Sequence, residues 1–402
     1  MFLWNTIGSI CSAGSSFVLL VFVTRICGSS DAGVFALGFA NAQLMLTIGR
    51  FGMRAYQATD IKFRVKFQTY FMSRILTSMA MLVVSGGYLL WHGYSFEKSA
   101  ILFCICVIKL ADALEDVFHG LFQQNGRMDL AGKLLTLRNV VTILSFTGIL
   151  VITKDLLLTC AVTALLSVAA SIFMNLPKAR TFENLRFACS KEELGILIKS
   201  CFPLFIGSFL SLYIYNVPKY MIDRFLSSDI QTFFSILFMP TFVINLLSEF
   251  LFKPLLTNIA VQWEQSEVRL FVQYIGRLLL GIIAITLITI TAGAFFGCEV
   301  LSFIYGVNLL PFRTELILLL CGGGFGAGVF LLLHILTAMR KQVGLLYGYM
   351  MVSLIITFLT PALTKEYHMM GASIASVISS ILLFILFSLM LLLGILRKSK
   401  TL

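Results

Sequence analysis

The sequence predicts an all-α integral membrane protein of about 12 transmembrane helices, arranged in two six-helix lobes. Three observations lead to this prediction: an apolar composition, the length and number of the apolar runs, and a motif that recurs in both halves of the chain. Hydrophobic residues make up 59% of the 402 residues, and charged residues make up 12%. Charged residues approach a quarter of an ordinary soluble domain. The chain is therefore mostly membrane-embedded, and a large soluble domain is excluded.

Apolar runs long enough to cross a bilayer follow one another along the whole chain. A transmembrane helix needs about 20 apolar residues. The runs lie at about 2–23, 33–56, 67–91, 99–120, 133–153, 156–175, 196–216, 230–252, 270–296, 313–338, 343–362 and 372–396. The first run has no basic leader and further spans follow it, so we interpret it as a helix and not as a cleaved signal. Its abrupt start at Phe2 is compatible with a longer native N-terminus.

Basic residues are unevenly distributed across this topology. With the N-terminus inside, the inner side carries about three times as many Lys and Arg residues as the outer side, in agreement with the positive-inside rule. Both termini are therefore predicted to be cytoplasmic, and the net charge of +11 is explained without nucleic-acid binding. This assignment places Arg138 on the inner side and leaves Arg74 and Lys109 within the membrane.

The nine cysteines show no spacing typical of a metal site or a disulfide framework.

The predicted outer loops are short. A membrane glycosyltransferase or polymerase that acts at the outer face would need a long outer loop for its catalytic residues. We therefore predict that the protein is not an enzyme.

The longest polar interval divides the runs into six plus six. We predict an N-terminal lobe over residues 1–176, a cytoplasmic linker over 177–195 and a C-terminal lobe over 196–402. The first run ends in RICGSSDAGVF (25–35), and the seventh run ends in RFLSSDIQTF (224–233), which share Arg, Ser-Ser-Asp and Phe when one gap is allowed. Coincidence between short turn sequences is the alternative. A true duplication would make the halves parallel repeats, a transporter plan with the substrate site between them.

The fourth run carries a polar stripe, KLADALEDVFHGLFQ (109–123). On a helix, these polar side chains share about 120° of arc: Lys109, Asp112, Glu115, Asp116, His119 and Gln123. Each charge costs at least about 2.5 kcal/mol in hydrocarbon, so the stripe should face a wet cavity or paired partners. Three acids exceed one Lys, so at least one acid should be protonated or paired with a cation from another helix.

Three interpretations of this stripe are open. It is a buried salt-bridge network that holds helices together, a proton or cation relay, or a counter-charge that opens when an anionic substrate captures its basic partner. In the second and third cases Asp112, Glu115 and Asp116 act as coupling or gating groups.

The second run carries a basic stripe that covers about 60° of helix surface. Its members are Gln43, Thr47, Arg50, Arg54 and Gln57. A basic stripe at the cytoplasmic mouth suits an anionic headgroup, although Arg50 and Arg54 would also snorkel to the inner interface. In the first run, the small polar residues Asn5, Ser9, Ser12 and Ser16 are interpreted as helix-packing contacts.

Two further polar groups lie in the second half. Asn216, Lys219, Tyr220 and Asp223 fall on neighbouring turns around Pro218, which can kink a helix. They indicate either a binding or hinge element or an ordinary helix end. In the eighth run, Glu249 lies four residues before Lys253. An ion pair between these two residues is the simpler interpretation. The more specific functional interpretation is a protonatable coupling site at Glu249.

Several segments resemble the bacterial flippases that export O-antigen or capsule repeat units (Wzx type), within the multidrug/oligosaccharidyl-lipid/polysaccharide flippase superfamily. They are VTRICGSSDAGVFALGFANAQ, IKLADALEDVFHGLFQQNGRMDL, NVPKYMIDRFLSSDIQTFFSILFMP and FLFKPLLTNIA. The resemblance implies an inverted-V pair of lobes around a central cavity in the bacterial cytoplasmic membrane. It also implies transfer of undecaprenyl-diphosphate-linked oligosaccharide to the outer leaflet by alternating access.

The resemblance further implies which residues bind the diphosphate. Arg25 and Lys219 stand in the matching motifs, although Lys219 replaces a more usual Arg and would bind phosphate as a point charge. Arg50, Arg54 and Lys109 are inferred from the polar stripes and not from the resemblance. Arg224 completes the predicted set of substrate-binding residues. Expected partners are the polyprenyl-linked glycan, membrane lipid, and a polysaccharide polymerase with its chain-length machinery. No cofactor is expected apart from coupling to H⁺ or Na⁺.

Two alternatives lie within the same superfamily. A cation-coupled multidrug or metabolite antiporter usually needs an acid in its first span, and residues 1–23 contain none, although the fourth run could substitute. A peptidoglycan lipid-precursor flippase is a close relative of the first interpretation. A major-facilitator transporter is disfavoured because the stretch from Gly52 to Gln57 lacks that family's acidic loop motif.

Overall fold

The computed structural model describes residues 2–60, 65–183, 190–252, 255–265 and 267–399, which are almost entirely helical and contain no β-strand. The predicted all-α membrane class is therefore confirmed. The chain clusters into two compact units, Met1–Leu212 and Tyr213–Leu402. One continuous helix passes from the first unit into the second.

Within the described residues, the first unit contains seven helices and the beginning of an eighth. They are α1 (Phe2–Cys27), α2 (Ser29–Arg50), α3 (Met53–Thr59), α4 (Phe67–His92), α5 (Phe96–Gln124), α6 (Met128–Thr153), α7 (Leu156–Ala179) and α8 (Lys191–Phe225). Helix α5 lies at the centre, where it packs against α2, α4 and α7 and touches α3 and α6. Helix α1 packs against α6 and α2. The polar stripe of α5 therefore faces other helices on most sides.

The second unit continues from α8. Its helices are α9 (Ser228–Phe238), α10 (Pro240–Phe252), α11 (Leu256–Glu264), α12 (Val268–Ala292), α13 (Cys298–Tyr305), α14 (Arg313–Ala338) and α15 (Gln342–Ser399). A π-helical turn, Gly293–Gly297, joins α12 to α13 into one long span, and a 3₁₀ turn, Leu310–Phe312, precedes α14. Helix α14 forms the core of this unit, packed against α15, α10 and α12.

The described helices include 10 that are long and apolar enough to cross a membrane. Helix α5 is long enough to cross a membrane, but it is not among these 10 because it carries too many charged residues. Helix α15 counts once, but His368 has non-helical dihedral angles (φ 53°, ψ −131°) and divides it into two spans. With these two adjustments the predicted runs fall on helices, but the prediction of one helix over 33–56 is wrong. Phe51 and Gly52 adopt left-handed conformations that separate α2 from α3, so the predicted basic stripe is divided between two helices.

The interval between α7 and α8 is shorter than the linker predicted over 177–195. Helix α7 continues to Ala179 and α8 already begins at Lys191, so helix covers both ends of the interval 177–195. The start of α8 is favoured because Glu192 and Glu193 lie in its first turn, where the helix dipole attracts negative charge. The Ser190 hydroxyl also accepts a hydrogen bond from the Glu193 amide at 3.4 Å, as an N-cap residue does. Residues 184–189 lie outside the described residues, and the lobe boundaries stay a prediction.

The repeated motif forms the same kind of corner in both halves. Arg25 lies in the last turn of α1, and Asp31 lies in the first turn of α2. Arg224 and Asp229 occupy the equivalent places at the end of α8 and the start of α9. In each case the charges complement the helix dipoles at the corner. This agreement supports a duplication.

Candidate functional site

A polar cavity of about 410 Å³ lies within the first unit. Its lining comes from α1, α2, α3, α5 and α6, and consists of Ser9, Ser12, Gln43, Arg50, Arg54, Asp112, Glu115, Asp116, His119 and Leu135. The α5 and α2 stripes thus border one space. Ser9 and Ser12, which the sequence suggested as packing contacts, also line it.

Two carboxylates of α5 are bound by Arg138 of α6. The Arg138 guanidinium donates to both oxygens of Glu115, with Nε to Oε2 at 2.7 Å and Nη2 to Oε1 at 2.9 Å. It also forms an ion pair with Asp112. The other Asp112 oxygen accepts a hydrogen bond from Lys109 Nζ at 2.9 Å, and that ammonium lies 4.6 Å from the centre of the Phe39 ring. Lys109 is therefore engaged within the protein.

The third carboxylate is bound by Arg74 of α4. Arg74 Nη2 donates to Asp116 Oδ2 at 2.7 Å. The Arg74 side chain is 1% exposed and the Asp116 side chain 15%. Each acid of the α5 stripe therefore has a basic partner from a neighbouring helix. This geometry matches the interpretation as a buried salt-bridge network.

The sequence analysis gave neither Arg138 nor Arg74 a partner. Arg138 is 1% exposed and surrounded by α5, α6 and α7. Arg74 was placed within the membrane without a role. The signal that could have identified both is the surplus of acid on α5. That surplus requires cations, and Arg74 and Arg138 lie inside the predicted runs 67–91 and 133–153.

Arg54 of α3 is held against α5. Its Nη1 donates to the Asp116 carbonyl oxygen at 3.0 Å, and its Nη2 donates to Gln123 Oε1 at 2.8 Å. Gln57, one turn further along, donates to the Val117 carbonyl at 3.4 Å. These bonds fix the short helix α3 along α5. Arg54 still borders the cavity.

Arg50 differs from these residues because it has no ion pair or hydrogen bond with the part of the chain that the structure describes. It is the last residue of α2, and its side chain is exposed and lines the cavity. His119 Nε2 is buried at the same cavity and also lacks a hydrogen-bond partner among the described residues. Buried polar atoms of this kind usually meet water or a ligand. The cavity thus offers both a cation and an unsatisfied polar atom to a bound molecule.

The remaining predicted residues lie outside this cavity lining. Arg25 is exposed at the end of α1. Lys219 lies on α8 in the second unit, with Nζ 5.1 Å from the centre of the Phe238 ring. Arg224 is exposed near the Phe225 ring. Glu249 lies on α10, while its predicted partner Lys253 lies outside the described residues.

Within the described ranges, no group of three or more His, Cys, Asp or Glu side chains is arranged to hold a metal ion. The arrangement around α5 instead suits an anion. Lys109, Arg74 and Arg138 balance the charges of Asp112, Glu115 and Asp116. The positive charges of Arg50 and Arg54 are in excess of these three balanced pairs of charges.

Comparison with known proteins agrees with this architecture. The family model described as polysaccharide biosynthesis protein matches residues 2–253. No curated protein matches the chain.

Several solved structures share the fold. A lipid II flippase, MurJ, in an inward-closed conformation is 14% identical, with a TM-score of 0.73 over 98% of this chain and 90% of that chain. An inward-facing multidrug resistance MATE family transporter of the MOP superfamily is 12% identical, with a TM-score of 0.70 over 96% and 95%. A MOP superfamily transporter from Pyrococcus furiosus is 14% identical, with a TM-score of 0.56 over 99% and 94%. At these identities the likeness concerns the fold alone.

Proposed function

Because the chain belongs to the polysaccharide biosynthesis protein family, we propose that it is a flippase for undecaprenyl-diphosphate-linked oligosaccharide repeat units. In this proposal it moves them across the bacterial cytoplasmic membrane by alternating access, for lipopolysaccharide or capsule assembly. Both termini are cytoplasmic, the halves act as the two lobes, and a polymerase with its chain-length machinery uses the product.

The observation that carries this proposal is the exposed Arg50 guanidinium in the polar cavity of the first unit. A diphosphate carries several negative charges, and arginine binds phosphate oxygens through two parallel hydrogen bonds. The carboxylates of the same cavity would repel that group if they were unpaired. Their pairing with Lys109, Arg74 and Arg138 supports a cavity that accepts an anion.

Different observations support the individual candidate binding residues. Arg50 has the strongest support because no described residue occupies its guanidinium. Arg54 would need to exchange its bonds with α5, and Lys109 would need to leave Asp112. Arg25, Lys219 and Arg224 remain in the proposal through the family resemblance. The coupling roles of Asp112, Glu115, Asp116 and Glu249 are also proposals, with H⁺ or Na⁺ as the ion.

A cation-coupled multidrug antiporter and a peptidoglycan lipid-precursor flippase are the alternatives. An antiporter would need an acid that binds and releases a cation during transport. The α5 acids are each occupied by a basic side chain, which favours the flippase. A precursor flippase would use the same cationic cavity, and the two lipid-linked substrates differ in their glycan.

The proposed function is tested by expression in a bacterial strain that lacks its polysaccharide flippase. The protein should restore surface polysaccharide and move the lipid-linked intermediate from the inner to the outer leaflet. Arg50→Gln should abolish both, because the neutral amide removes the unpaired cation. Protein levels should stay unchanged. The matched control is Arg313→Gln, which removes the exposed ion pair with Glu299 in the second unit.

Three outcomes would contradict the proposal. One is normal surface display by well-expressed Arg50→Gln. Another is restoration of drug resistance without movement of the lipid intermediate. Rescue of a strain that lacks its peptidoglycan-precursor flippase, without rescue of polysaccharide display, would favour that alternative.

A further inference from the structure

Helix α2 ends at a carbonyl that two side chains of α4 bind. Arg74 Nη1 donates to the Gly49 carbonyl oxygen. Thr77 Oγ1 donates to the same oxygen at 2.8 Å. The last carbonyls of a helix have no partner within the helix. These two bonds therefore fix the end of α2 one residue before Arg50.

The chain after Arg50 is fixed as well. Phe51 and Gly52 both adopt left-handed conformations, with φ of 49° and 67°. The Phe51 ring stacks on Phe205 of α8, with ring centres 4.6 Å apart and planes inclined by 12°. A Cβ on Gly52 would lie 2.8 Å from Leu204 Cβ, so a larger residue would not fit there. Arg50 thus projects from a break that is anchored on both sides.

Arg74 joins this anchor to the α5 carboxylates. One terminal nitrogen of its guanidinium binds the Gly49 carbonyl, and the other binds Asp116 Oδ2 at 2.7 Å. Asp116 and Arg50 line the same cavity, while Glu115 and Asp112 are already bound by Arg138. Asp116 is therefore the carboxylate best placed to pair with Arg50 if Arg74 were absent.

We propose that Arg74 is a positioning residue that keeps Arg50 available to an anionic ligand. It does so by occupying the Asp116 carboxylate and by holding the end of α2. This inference rests on the proposed function, since it concerns how the same cavity binds a diphosphate group. Arg74 itself is buried and does not line the cavity.

The loss of Arg74 has a consequence that can be distinguished from simple destabilisation. Without its guanidinium, the Asp116 carboxylate pairs with Arg50 and competes with the ligand for it. Removal of the Asp116 charge in the same molecule ends that competition. A merely structural salt bridge would change the melting temperature, and anion affinity would not follow the charge of Asp116.

The test measures binding of inorganic pyrophosphate to the purified full-length protein by calorimetry, with the melting temperature recorded for each variant. Arg74→Gln should weaken binding about tenfold, equivalent to about 1.4 kcal/mol. The double variant Arg74→Gln/Asp116→Asn should return to about the wild-type affinity. Arg50→Gln should abolish binding in every background. Arg313→Gln is the control and should bind as the wild type does.

Wild-type affinity in folded Arg74→Gln would overturn the inference, as would a double variant that stays as weak as Arg74→Gln. If Arg74→Gln does not fold, Arg74→Met replaces it. That variant also removes the charge that occupies Asp116 but keeps an unbranched apolar side chain in the buried site, and wild-type affinity would again overturn the inference. Failure of the wild type to bind, or unchanged binding in Arg50→Gln, would reject the anion site of the proposed function together with this inference. If Arg50→Gln abolishes pyrophosphate binding but folded Arg74→Gln binds with wild-type affinity, only the positioning role of Arg74 is rejected.

Discussion

Arg138 binds the Glu115 carboxylate through two parallel hydrogen bonds, one from Nε at 2.7 Å and one from Nη2 at 2.9 Å. The side chains are 2% and 3% exposed, so this contact is almost completely removed from solvent. The same guanidinium also pairs with Asp112, one turn earlier on α5. Bidentate contacts of this kind are among the stronger hydrogen-bonded pairs in proteins. Helix α6 is thereby joined to the central helix of the first unit at two acids.

Arg138→Gln should destabilise the protein by about 3–5 kcal/mol, because it leaves buried carboxylates without a cation. Thermal unfolding of the purified protein in detergent measures this effect. Arg313→Gln is the control, since loss of an exposed ion pair costs about 0–1 kcal/mol. Equal stability of the two variants would show that the Arg138 network does not hold the helices together.

Gly120 allows Gln57 to lie directly against α5. A Cβ at position 120 would lie 1.8 Å from Gln57 Oε1, and Gln57 is buried with a bond to the Val117 carbonyl. Gly120→Ala should therefore destabilise the protein by about 1–3 kcal/mol through overpacking. The effect should be visible as a lower melting temperature.

Gln57→Ala in the same molecule should relieve that clash, so the double variant should be more stable than Gly120→Ala alone. Gly148→Ala is a matched control on α6, where a new Cβ would meet nothing within 4 Å. Alanine has a higher helix propensity than glycine, so Gly148→Ala should not lower the melting temperature. A fall of the same size at both glycines would contradict a clash that is specific to Gln57.

His368 adopts a backbone conformation that favours glycine, at the bend of α15 (φ 53°, ψ −131°). Such residues carry about 1–3 kcal/mol of strain, and glycine adopts positive φ readily. His368→Gly should therefore raise the melting temperature. Tyr367→Gly, at an exposed helical position next to it, should lower the stability by about 1 kcal/mol. A lower melting temperature in both variants would contradict backbone strain at His368.

The ends of α5 should face opposite sides of the membrane. Glu97 lies in its first turn and Asn125 directly follows its last residue, and both are exposed. In a background without the nine native cysteines, an impermeant maleimide should label Glu97→Cys in intact cells. Asn125→Cys should react only after permeabilisation. The reverse pattern would invert the predicted topology and place both termini outside.

Sequence reasoning located the polar elements of the first unit but not their pairing. Spacing along α5 and α2 was enough to identify Asp112, Glu115, Asp116 and Arg50 as one-sided stripes, because helix periodicity is a local property. It could not identify Arg74 as the partner of Asp116, which lies 42 residues away. That pairing depends on which helices become neighbours. Nor could it identify the contact of the Lys109 ammonium, a predicted substrate ligand, with Asp112.

The sequence by itself determined the membrane class, the helical runs and the resemblance to polysaccharide flippases. These follow from composition, run length and short motifs, which require no knowledge of contacts. Only the tertiary structure decided which charges of the first unit neutralise one another and which have no oppositely charged partner among the described residues. Arg50, Arg54 and Arg74 are all arginines within or beside apolar runs, and nothing local distinguishes them. Burial against α5 commits Arg74 and Arg54 to protein partners, whereas Arg50 stands at the end of α2 facing the cavity.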